Sequence, residues 1–223
     1  MSAFNVALDG PSGSGKSSVA DTIAEKYGME HLDTGAMYRA LAWKLDQMKI
    51  TPESGDALVE ALKTIHLDID HDSVAVNGQD VTRAIREPNV SKLASLYSAL
   101  PEVREKLVAL QQKIASKKGY ILDGRDICDV VLPDAEVKIY LDAAPEARAK
   151  RRHAQNLEKG IPSDFDEVLQ AIIERDRRDT TREVNPLKIS KDAEFLDSSN
   201  LTFDQTVEAV EQLIRKALSK ESA

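Results

Sequence analysis

Short apolar runs alternate along the chain with longer segments in which apolar residues recur every three or four positions. Residues 4–8 form the first such run, and residues 16–27 place Val19, Ala20, Ile23 and Ala24 on one helical face. Strands that alternate with amphipathic helices are typical of a parallel sheet covered by helices. The hydrophobic pattern therefore predicts an α/β fold.

The same criteria predict the remaining elements. We expect strands at about residues 30–32, 120–122, 137–141 and 194–196, and helices at about 35–48, 51–64, 89–100, 101–117, 144–159 and 165–182. The string Thr51-Pro52-Glu53 predicts the start of the helix at 51–64. Thr51 is a typical N-cap, Pro52 is typical of the first helical position, and Glu53 is an acidic residue in the first turn. Thr202 and Gln205 have the spacing of a capping box, which predicts the start of a C-terminal helix.

One region breaks the strand–helix alternation. Residues 66–70 and 73–76 alternate in polarity, and Asn77-Gly78 is the strongest short signal for a type I′ hairpin turn. Antiparallel strands in an otherwise parallel pattern indicate an inserted subdomain centred on residues 65–81. We find no internal repeat and no linker typical of independent domains.

Composition narrows the class of protein. At 223 residues the chain is long enough for one α/β domain with an insertion. A single cysteine, Cys128, excludes an internal disulfide, and the four histidines lack metal-ligand spacing. No segment has the pattern of a signal peptide or the length of a membrane span, so we expect a cytoplasmic protein that binds no membrane.

The charge is unevenly distributed. A net charge of −8 argues against a nucleic acid polymer as partner, because such partners are held by basic faces. Seven of the thirteen arginines nevertheless lie between positions 148 and 182. A local cationic site within an acidic protein is therefore expected.

The most specific motif lies between the first predicted strand and helix. It fits G-x-x-x-x-G-K-[ST], in which backbone N–H groups and a helix N-terminus bind phosphate oxygens. We predict that the ligand is a purine nucleoside triphosphate, that Lys16 reaches its β- and γ-phosphates and that Ser17 is a Mg²⁺ ligand. The alternative is a glycine- and serine-rich turn that matches by chance. The predicted nucleotide-binding residues of this loop, which bind ATP if the protein is a kinase, are Gly10, Pro11, Ser12, Gly13, Ser14, Gly15, Lys16, Ser17 and Ser18.

Other sequence strings separate the classes of P-loop protein. The N-K-x-D and D-x-x-G strings of GTPases do not occur in the sequence, and motor or helicase ATPases are ordinarily larger or act as rings. A kinase that phosphorylates a small acceptor remains, and it needs a second anion site.

Three further strings carry a resemblance to a known family. They are Asp33-Thr34-Gly35-Ala36-Met37-Tyr38-Arg39, Asp123-Gly124-Arg125-Asp126 and the run from Arg175 to Arg182. With the P-loop, in this order, they resemble the bacterial cytidylate kinases among the nucleoside monophosphate kinases, over essentially the whole chain. The resemblance implies a P-loop kinase fold: a central parallel five-stranded sheet flanked by helices, with a monophosphate-binding insertion and a short lid. We expect the core at about residues 1–32, 100–147 and 183–223, the insertion at about 33–99 and the lid at about 148–182.

The resemblance also implies roles for individual residues. Arg39, Arg125 and Arg182 would converge on the acceptor phosphate, which guanidinium groups bind bidentately; the alternative for each arginine is a surface ion pair. Asp179 would bind the ribose hydroxyl, with an i, i+4 pair to Arg175 as its alternative. The remaining CMP contacts would be Thr34, Tyr38, Ser95, Arg104 and Asp126. The alternative for Ser95 and Arg104 is a solvent-exposed position on a helix. The alternative for Tyr38 is packing in the core.

Asp123 ends an apolar strand, where it would hold Mg²⁺ opposite Ser17; the alternative is a polar strand end. The expected catalytic residues are Lys16, Asp123, Arg125 and Arg182. In the lid, the arginines expected to reach the donor phosphates are Arg148, Arg152 and Arg178. The alternative for these three is a solvated helix. The chain departs from the family after Asp126: a small Gly-Thr pair is usual there, whereas in this chain Ile127 is followed by Cys128-Asp129.

The activity implied is Mg²⁺-dependent transfer of phosphoryl from ATP to CMP or dCMP by a monomer. A kinase for another small acceptor such as UMP, and a nucleotide-binding regulator without turnover, remain alternatives.

Overall fold

The computed structural model describes residues 4–70 and 73–221, and for residues 220 and 221 it describes the backbone alone. Eight strands and eight α-helices follow in chain order within these residues. The strands are β1 Val6–Asp9, β2 Glu30–Asp33, β3 Leu67–Ile69, β4 Val74–Val76, β5 Gln79–Asp80, β6 Tyr120–Gly124, β7 Val137–Asp142 and β8 Glu194–Asp197. The helices are α1 Lys16–Tyr27, α2 Thr34–Gln47, α3 Asp56–Thr64, α4 Pro88–Tyr97, α5 Pro101–Ala115, α6 Pro145–Glu158, α7 Phe165–Thr181 and α8 Phe203–Glu221.

A five-stranded sheet with the order β2-β6-β1-β7-β8 forms the centre of the fold. Strand β1 lies parallel between β6 and β7, and all four of its residues are buried. Apolar residues of α1 and α8 pack against these three strands and form one core with them. Burial on both faces explains why β1 is continuously apolar before Asp9 rather than alternating. The predicted α/β fold with a parallel five-stranded sheet is confirmed.

Residue contacts divide the chain into two compact units. The described residues up to His31 and from Lys118 onward form the first, which we call the P-loop unit. Residues Leu32–Lys117 form the second, the insert unit. The finer division into core, insertion and lid stays a prediction.

The insert unit contains a second, antiparallel sheet in the order β3-β4-β5. Strands β4 and β5 are joined by Asn77 and Gly78, whose φ angles are 50° and 78°. Positive φ at both central positions is the signature of a type I′ turn, so the predicted hairpin is confirmed.

The predicted start of the third helix is wrong. Helix α3 begins at Asp56 with Gly55 at the N-cap, although the prediction placed the cap at Thr51. The amide of Glu53 instead donates to the carbonyl of Thr51 at 2.8 Å and closes a local turn. The hydroxyl of Ser54 donates to the carboxylate of Glu102 at 3.0 Å, a tertiary contact that local sequence does not specify.

A π-helical turn at Ile127–Val131 was not predicted. Its first amides, those of Ile127 and Cys128, donate to the two carboxylate oxygens of Asp9 at 2.8 and 2.9 Å. The turn is thus anchored to the end of β1, which lies more than a hundred residues earlier in the chain. Among the described residues, no helix combines the length and the apolar character that a bilayer crossing requires.

Candidate active site

The P-loop connects the end of β1 to the start of α1, as the motif predicts. A Cβ on Gly10, whose φ is 149°, would lie 2.0 Å from the carbonyl oxygen of Leu141 on the neighbouring strand β7. Gly15, at φ 96°, is the N-cap of α1, and no side chain caps that helix end. The first amides of α1 therefore have no side-chain acceptor and are available to an anion.

Lys16 is the first residue of α1 and its side chain is buried. Its ammonium donates to the carbonyl of Pro11 at 2.7 Å and lies 3.3 Å from the hydroxyl of Ser14. Burial, and then the charge of Arg125, lower the pKa of Lys16 to about 7. A phosphate anion beside this ammonium would favour its charged form again, because opposite charges stabilise each other strongly at a buried position.

Ser17 and Asp123 come together at the ends of α1 and β6. The Ser17 hydroxyl donates to one carboxylate oxygen of Asp123 at 2.8 Å. The other Asp123 oxygen lies 2.9 Å from Nε2 of His31, whose Nδ1 lies 2.6 Å from a carboxylate oxygen of Asp21. Burial favours a lower pKa for His31, but the hydrogen bonds and charges of Asp123 and Asp21 outweigh it and raise that pKa to about 9.

His31 is a member of this group that the sequence did not single out. It was one of four scattered histidines, and its partner Asp123 lies 92 positions away. The contact with His31 also affects the carboxylate: burial raises the pKa of Asp123, and the hydrogen bond and charge of His31 more than offset this, so that the pKa lies below its usual range.

The residues present fit a magnesium ion that arrives with a nucleotide. A hydroxyl and a carboxylate are the hard oxygen donors that Mg²⁺ prefers. Within residues 4–70 and 73–221, no cluster of three or more His, Cys, Asp or Glu side chains is arranged to hold a metal by itself. Phosphate oxygens and water would therefore have to complete the coordination, which is the ordinary situation in kinases.

Four residues predicted to bind the acceptor lie in the P-loop unit and form two ion pairs. Arg125 Nε donates to Asp179 at 2.9 Å, and Arg182 lies 3.6 Å from Asp126. The alternative partner of Asp179, Arg175, is more distant at 4.0 Å. Burial raises the pKa of Asp179, but Arg125 and then Arg175 more than offset this and hold it below its usual range. All four side chains are mostly buried, so none is a solvent-exposed surface pair.

Within the insert unit, Arg39 is held by the start of its own helix. One carboxylate oxygen of Asp33 caps α2 by accepting from the Ala36 amide, and the other accepts from the Arg39 guanidinium, both at 2.8 Å. A Cβ on Gly35 would lie 3.0 Å from Arg39 Nη1 and from Asp33 Oδ1. The D-x-G-x-x-x-R spacing therefore has a local geometric reason.

Arg104 and Ser95 are buried, so their predicted alternative as solvated helix residues is wrong. Arg104 is 2% exposed and Ser95 is 6% exposed. The Arg104 guanidinium donates to the carbonyl of Ser98 at 3.1 Å and lies 5.6 Å from the ring centre of Tyr38. Thr34, at the first position of α2, is also buried.

The predicted lid arginines have different surroundings. Arg148 is 2% exposed and forms a bidentate pair with Asp176, with distances of 3.1 and 2.6 Å. It also donates to the P-loop carbonyl of Ser12 at 3.1 Å, so it supports the loop directly. Arg152 is exposed, and Arg178 is partly exposed, 3.9 Å from Glu174.

A second residue that the sequence did not assign to the site also supports the P-loop. The Arg151 guanidinium donates to the carbonyl of Ser198 at 2.5 Å and lies 3.4 Å from the carbonyl of Ser14. It lies on the same helix as Arg148, and the two arginines contact successive parts of the loop. The only sequence signal for Arg151 as a support of the P-loop was its position in the arginine-rich segment.

The comparison with known families is decisive. A family model described as cytidylate kinase matches residues 6–216. The chain belongs to the cytidylate kinase family. The family predicted from the four motifs is therefore confirmed, and the match includes the P-loop and all three further strings.

Curated relatives agree with the family model. The chain is 44% identical to a cytidylate kinase of Caldicellulosiruptor saccharolyticus, with 99% of this chain and 100% of the relative covered. It is 45% identical to one of Shouchella clausii, with 96% of each chain covered, and 44% identical to one of Streptococcus sanguinis, with 99% and 100% covered.

Solved structures share the fold at much lower identity. An uncharacterised protein from Eubacterium ventriosum has a TM-score of 0.55 at 13% identity, with 95% of this chain and 98% of the other covered. A gluconokinase from Sinorhizobium meliloti has a TM-score of 0.50 at 17% identity, with 98% and 96% covered. These likenesses concern the fold alone.

Proposed function

We propose that the protein transfers the γ-phosphoryl group of ATP to CMP and dCMP, with ADP and the nucleoside diphosphate as products. The observation that carries the proposal is the cytidylate kinase match over residues 6–216. The candidate site supports it, because the P-loop, Lys16 and the Ser17–Asp123 pair provide what an ATP site needs.

The donor site binds the triphosphate through the P-loop. The amides at the start of α1 and the Lys16 ammonium bind the β- and γ-phosphate oxygens. Ser17 and Asp123 are the residues that would hold Mg²⁺. The ion, when bound, offsets negative charge on the phosphate oxygens. Arg148, Arg152 and Arg178 remain the predicted arginines for the donor phosphates in a lid that excludes water.

The transfer itself requires alignment rather than a protein base. A phosphate oxygen of CMP is already anionic at neutral pH, so it can attack without losing a proton to a side chain. A bond forms from that oxygen to the γ-phosphorus, and the bond from the γ-phosphorus to the bridging oxygen breaks and leaves ADP. Arg39, Arg125 and Arg182 remain the predicted groups that offset the repulsion between the two anions.

The contacts with the rest of the acceptor are also proposals. Cytosine presents an exocyclic amine donor beside ring acceptors, so its pocket needs an acceptor and donors. Asp126 is the proposed acceptor, and Asp179 is the proposed partner of the ribose hydroxyl. Thr34, Tyr38, Ser95 and Arg104 are the other proposed CMP contacts.

Three features of the biological setting rest on the sequence alone. We propose that the enzyme is a cytoplasmic monomer and that it binds no nucleic acid polymer. The net charge of −8 supports the last of these, because polyanions are held by basic surfaces.

A coupled assay of ADP formation over CMP, dCMP, UMP, AMP and GMP tests the function. We expect turnover with CMP and dCMP well above a control without acceptor. ADP formation from UMP alone would indicate the alternative acceptor, and nucleotide binding without ADP formation would indicate a regulator. Either result would refute the proposal.

Lys16→Ala and Lys113→Ala provide the matched pair of variants for the same assay. Loss of one charged donor to the transferred group lowers kcat by about a hundredfold to a thousandfold. Lys113 is exposed on α5, so its replacement removes the same charge without an expected effect. Equal activity of the two variants would contradict the role of Lys16.

A further inference from the structure

Asp21, His31 and Asp123 form a continuous row from the surface to the candidate magnesium site. They come from α1, β2 and β6, and all three lie in the P-loop unit. The side chains of His31 and Asp123 are each 7% exposed, whereas that of Asp21 is 67% exposed. The row therefore connects a buried carboxylate to an accessible one through a buried ring.

Two carboxylates on opposite sides fix the orientation of the His31 ring. Nδ1 lies 2.6 Å from a carboxylate oxygen of Asp21, and Nε2 lies 2.9 Å from a carboxylate oxygen of Asp123. An ionised carboxylate only accepts hydrogen bonds, so Nε2 is the donor toward Asp123.

Asp123 is held at both oxygens. One accepts from His31 at 2.9 Å and the other from the Ser17 hydroxyl at 2.8 Å. A carboxylate with one such contact can rotate about its Cβ–Cγ bond, whereas two donors on opposite sides fix its plane. Because the Ser17 hydrogen points to Asp123, the lone pairs of the Ser17 oxygen remain available to a metal ion.

We propose that His31 is a positioning residue that fixes the Asp123 carboxylate for Mg²⁺ binding, and that Asp21 fixes His31 from the surface. The proposal rests on the proposed function, specifically on the roles given to Ser17 and Asp123. His31 contacts neither the metal nor the nucleotide in this scheme. Its effect is transmitted through the orientation of Asp123.

The test measures ATP affinity by calorimetry in EDTA and in saturating Mg²⁺. The ratio of the two Kd values, the metal increment, reports the contribution of the metal site. We expect His31→Phe, which removes the hydrogen bond to Asp123, to lower the increment about tenfold, the lower end of the effect of losing a hydrogen bond to a metal-binding carboxylate. The Kd in EDTA stays unchanged, because the P-loop contacts do not involve His31.

Two further variants separate positioning from a purely structural role. His31→Gln keeps one side-chain donor for Asp123 and should give an intermediate increment. Asp21→Asn removes the outer carboxylate charge at an exposed position and should lower the increment about two- to threefold. Glu25→Gln, exposed one turn later on α1, removes the same charge and should change nothing. A structural role alone would lower the melting temperature and leave the increment at its wild-type value.

The outcomes are distinct. If the wild-type protein shows a metal increment and His31→Gln and Asp21→Asn both retain it in full, the proposal for His31 is overturned, whether or not His31→Phe folds. If the wild-type protein shows no increment, the Ser17 and Asp123 metal site of the proposed function fails first. The proposal is supported if the metal increment falls slightly in Asp21→Asn and most in His31→Phe, while Glu25→Gln keeps the wild-type value.

Discussion

At the scale of single residues, the candidate site is built from buried charges that already have partners. Arg125 pairs with Asp179, Arg182 lies near Asp126, and Arg148 holds Asp176. Removing one partner of a buried pair leaves an uncompensated charge, which costs about 3–5 kcal/mol. Variants of these residues therefore affect folding as well as binding, and a useful test must compare substrates rather than absolute rates.

Asp126 allows such a comparison. If its carboxylate accepts from the cytosine amine, Asp126→Ala should lower kcat/KM for CMP more than for UMP, which lacks that amine. One lost hydrogen bond of about 1.4 kcal/mol corresponds to a tenfold smaller preference for CMP. Asp134→Ala, in the exposed turn before β7, is the control. Equal losses with every monophosphate would contradict the role of Asp126 in base recognition.

Residues within motifs were predictable from the sequence, whereas single residues with distant partners were not. The D-x-G-x-x-x-R string marks Asp33 and Arg39 because their contact is local. No local motif identifies His31, since its partner Asp123 follows 92 positions later. Ser95 and Arg104 lie in helices whose sequence does not reveal which face is buried.

At the scale of elements, one carboxylate anchors a distant segment. Both oxygens of Asp9 accept backbone hydrogen bonds from the start of the π-helical turn at Ile127–Val131. Burial raises the pKa of Asp9 to about 6, and the two amide contacts offset only part of this effect. The neighbouring thiol of Cys128 is buried as well, and burial and the charge of Asp9 raise its pKa, which makes it an unreactive cysteine.

The Asp9 carboxyl should make stability depend on pH. Its pKa is about 6 in the folded protein, above the ordinary aspartate pKa of 3.8, so the folded state binds the proton more tightly. The contribution is fully present below about pH 4 and is lost as pH rises through 6. At about 1.36 kcal/mol per pKa unit, it amounts to at most about 3 kcal/mol.

Urea unfolding of the wild-type protein and of Asp9→Asn between pH 4 and 7 measures this contribution. We expect the wild-type free energy of unfolding to fall toward the neutral end relative to that of the variant, which cannot titrate at this position. A difference between the two proteins that is constant over the range would show that the Asp9 pKa is not raised on folding.

Predictions for elements succeeded where the signal is local. The Thr202 amide donates to the Gln205 side chain at 2.9 Å, and the Gln205 amide donates to the Thr202 hydroxyl at 3.2 Å, so the predicted capping box is confirmed. The helix predicted from Thr51 starts at Asp56 instead; Thr51 and Glu53 form a local turn, and Ser54 contacts the distant Glu102. The π-helical turn contacts Asp9, which lies more than a hundred residues earlier, and no local pattern reveals that contact.

At the scale of the whole molecule, the net charge of −8 coexists with a cationic candidate site. Arg125, Arg148 and Arg182 are mostly buried, and each lies beside a carboxylate. Bound phosphates would add counter-charges to these arginines, so ligand binding should stabilise the fold measurably.

Thermal unfolding with and without Mg²⁺-ATP tests this expectation. A ligand at a hundred times its Kd stabilises the state that binds it by about 2.7 kcal/mol, so the melting temperature should rise by several degrees. The rise should be absent or much smaller in Lys16→Ala and complete in Lys113→Ala. A full rise in Lys16→Ala would indicate that ATP binds elsewhere than the P-loop.

The sheet order has a consequence for the time course of folding. Strand β1 is synthesised early, whereas both of its neighbours in the sheet, β6 and β7, lie within residues 120–142. The insert unit, in contrast, is one uninterrupted stretch of chain that ends before β6 begins. Since domains generally fold as units during synthesis at about 5–20 residues per second, β1 stays unpaired for several seconds while its partners are made. A nascent chain of this enzyme therefore passes through a stage in which the insert is complete and the phosphate-binding turn has no sheet to hold it.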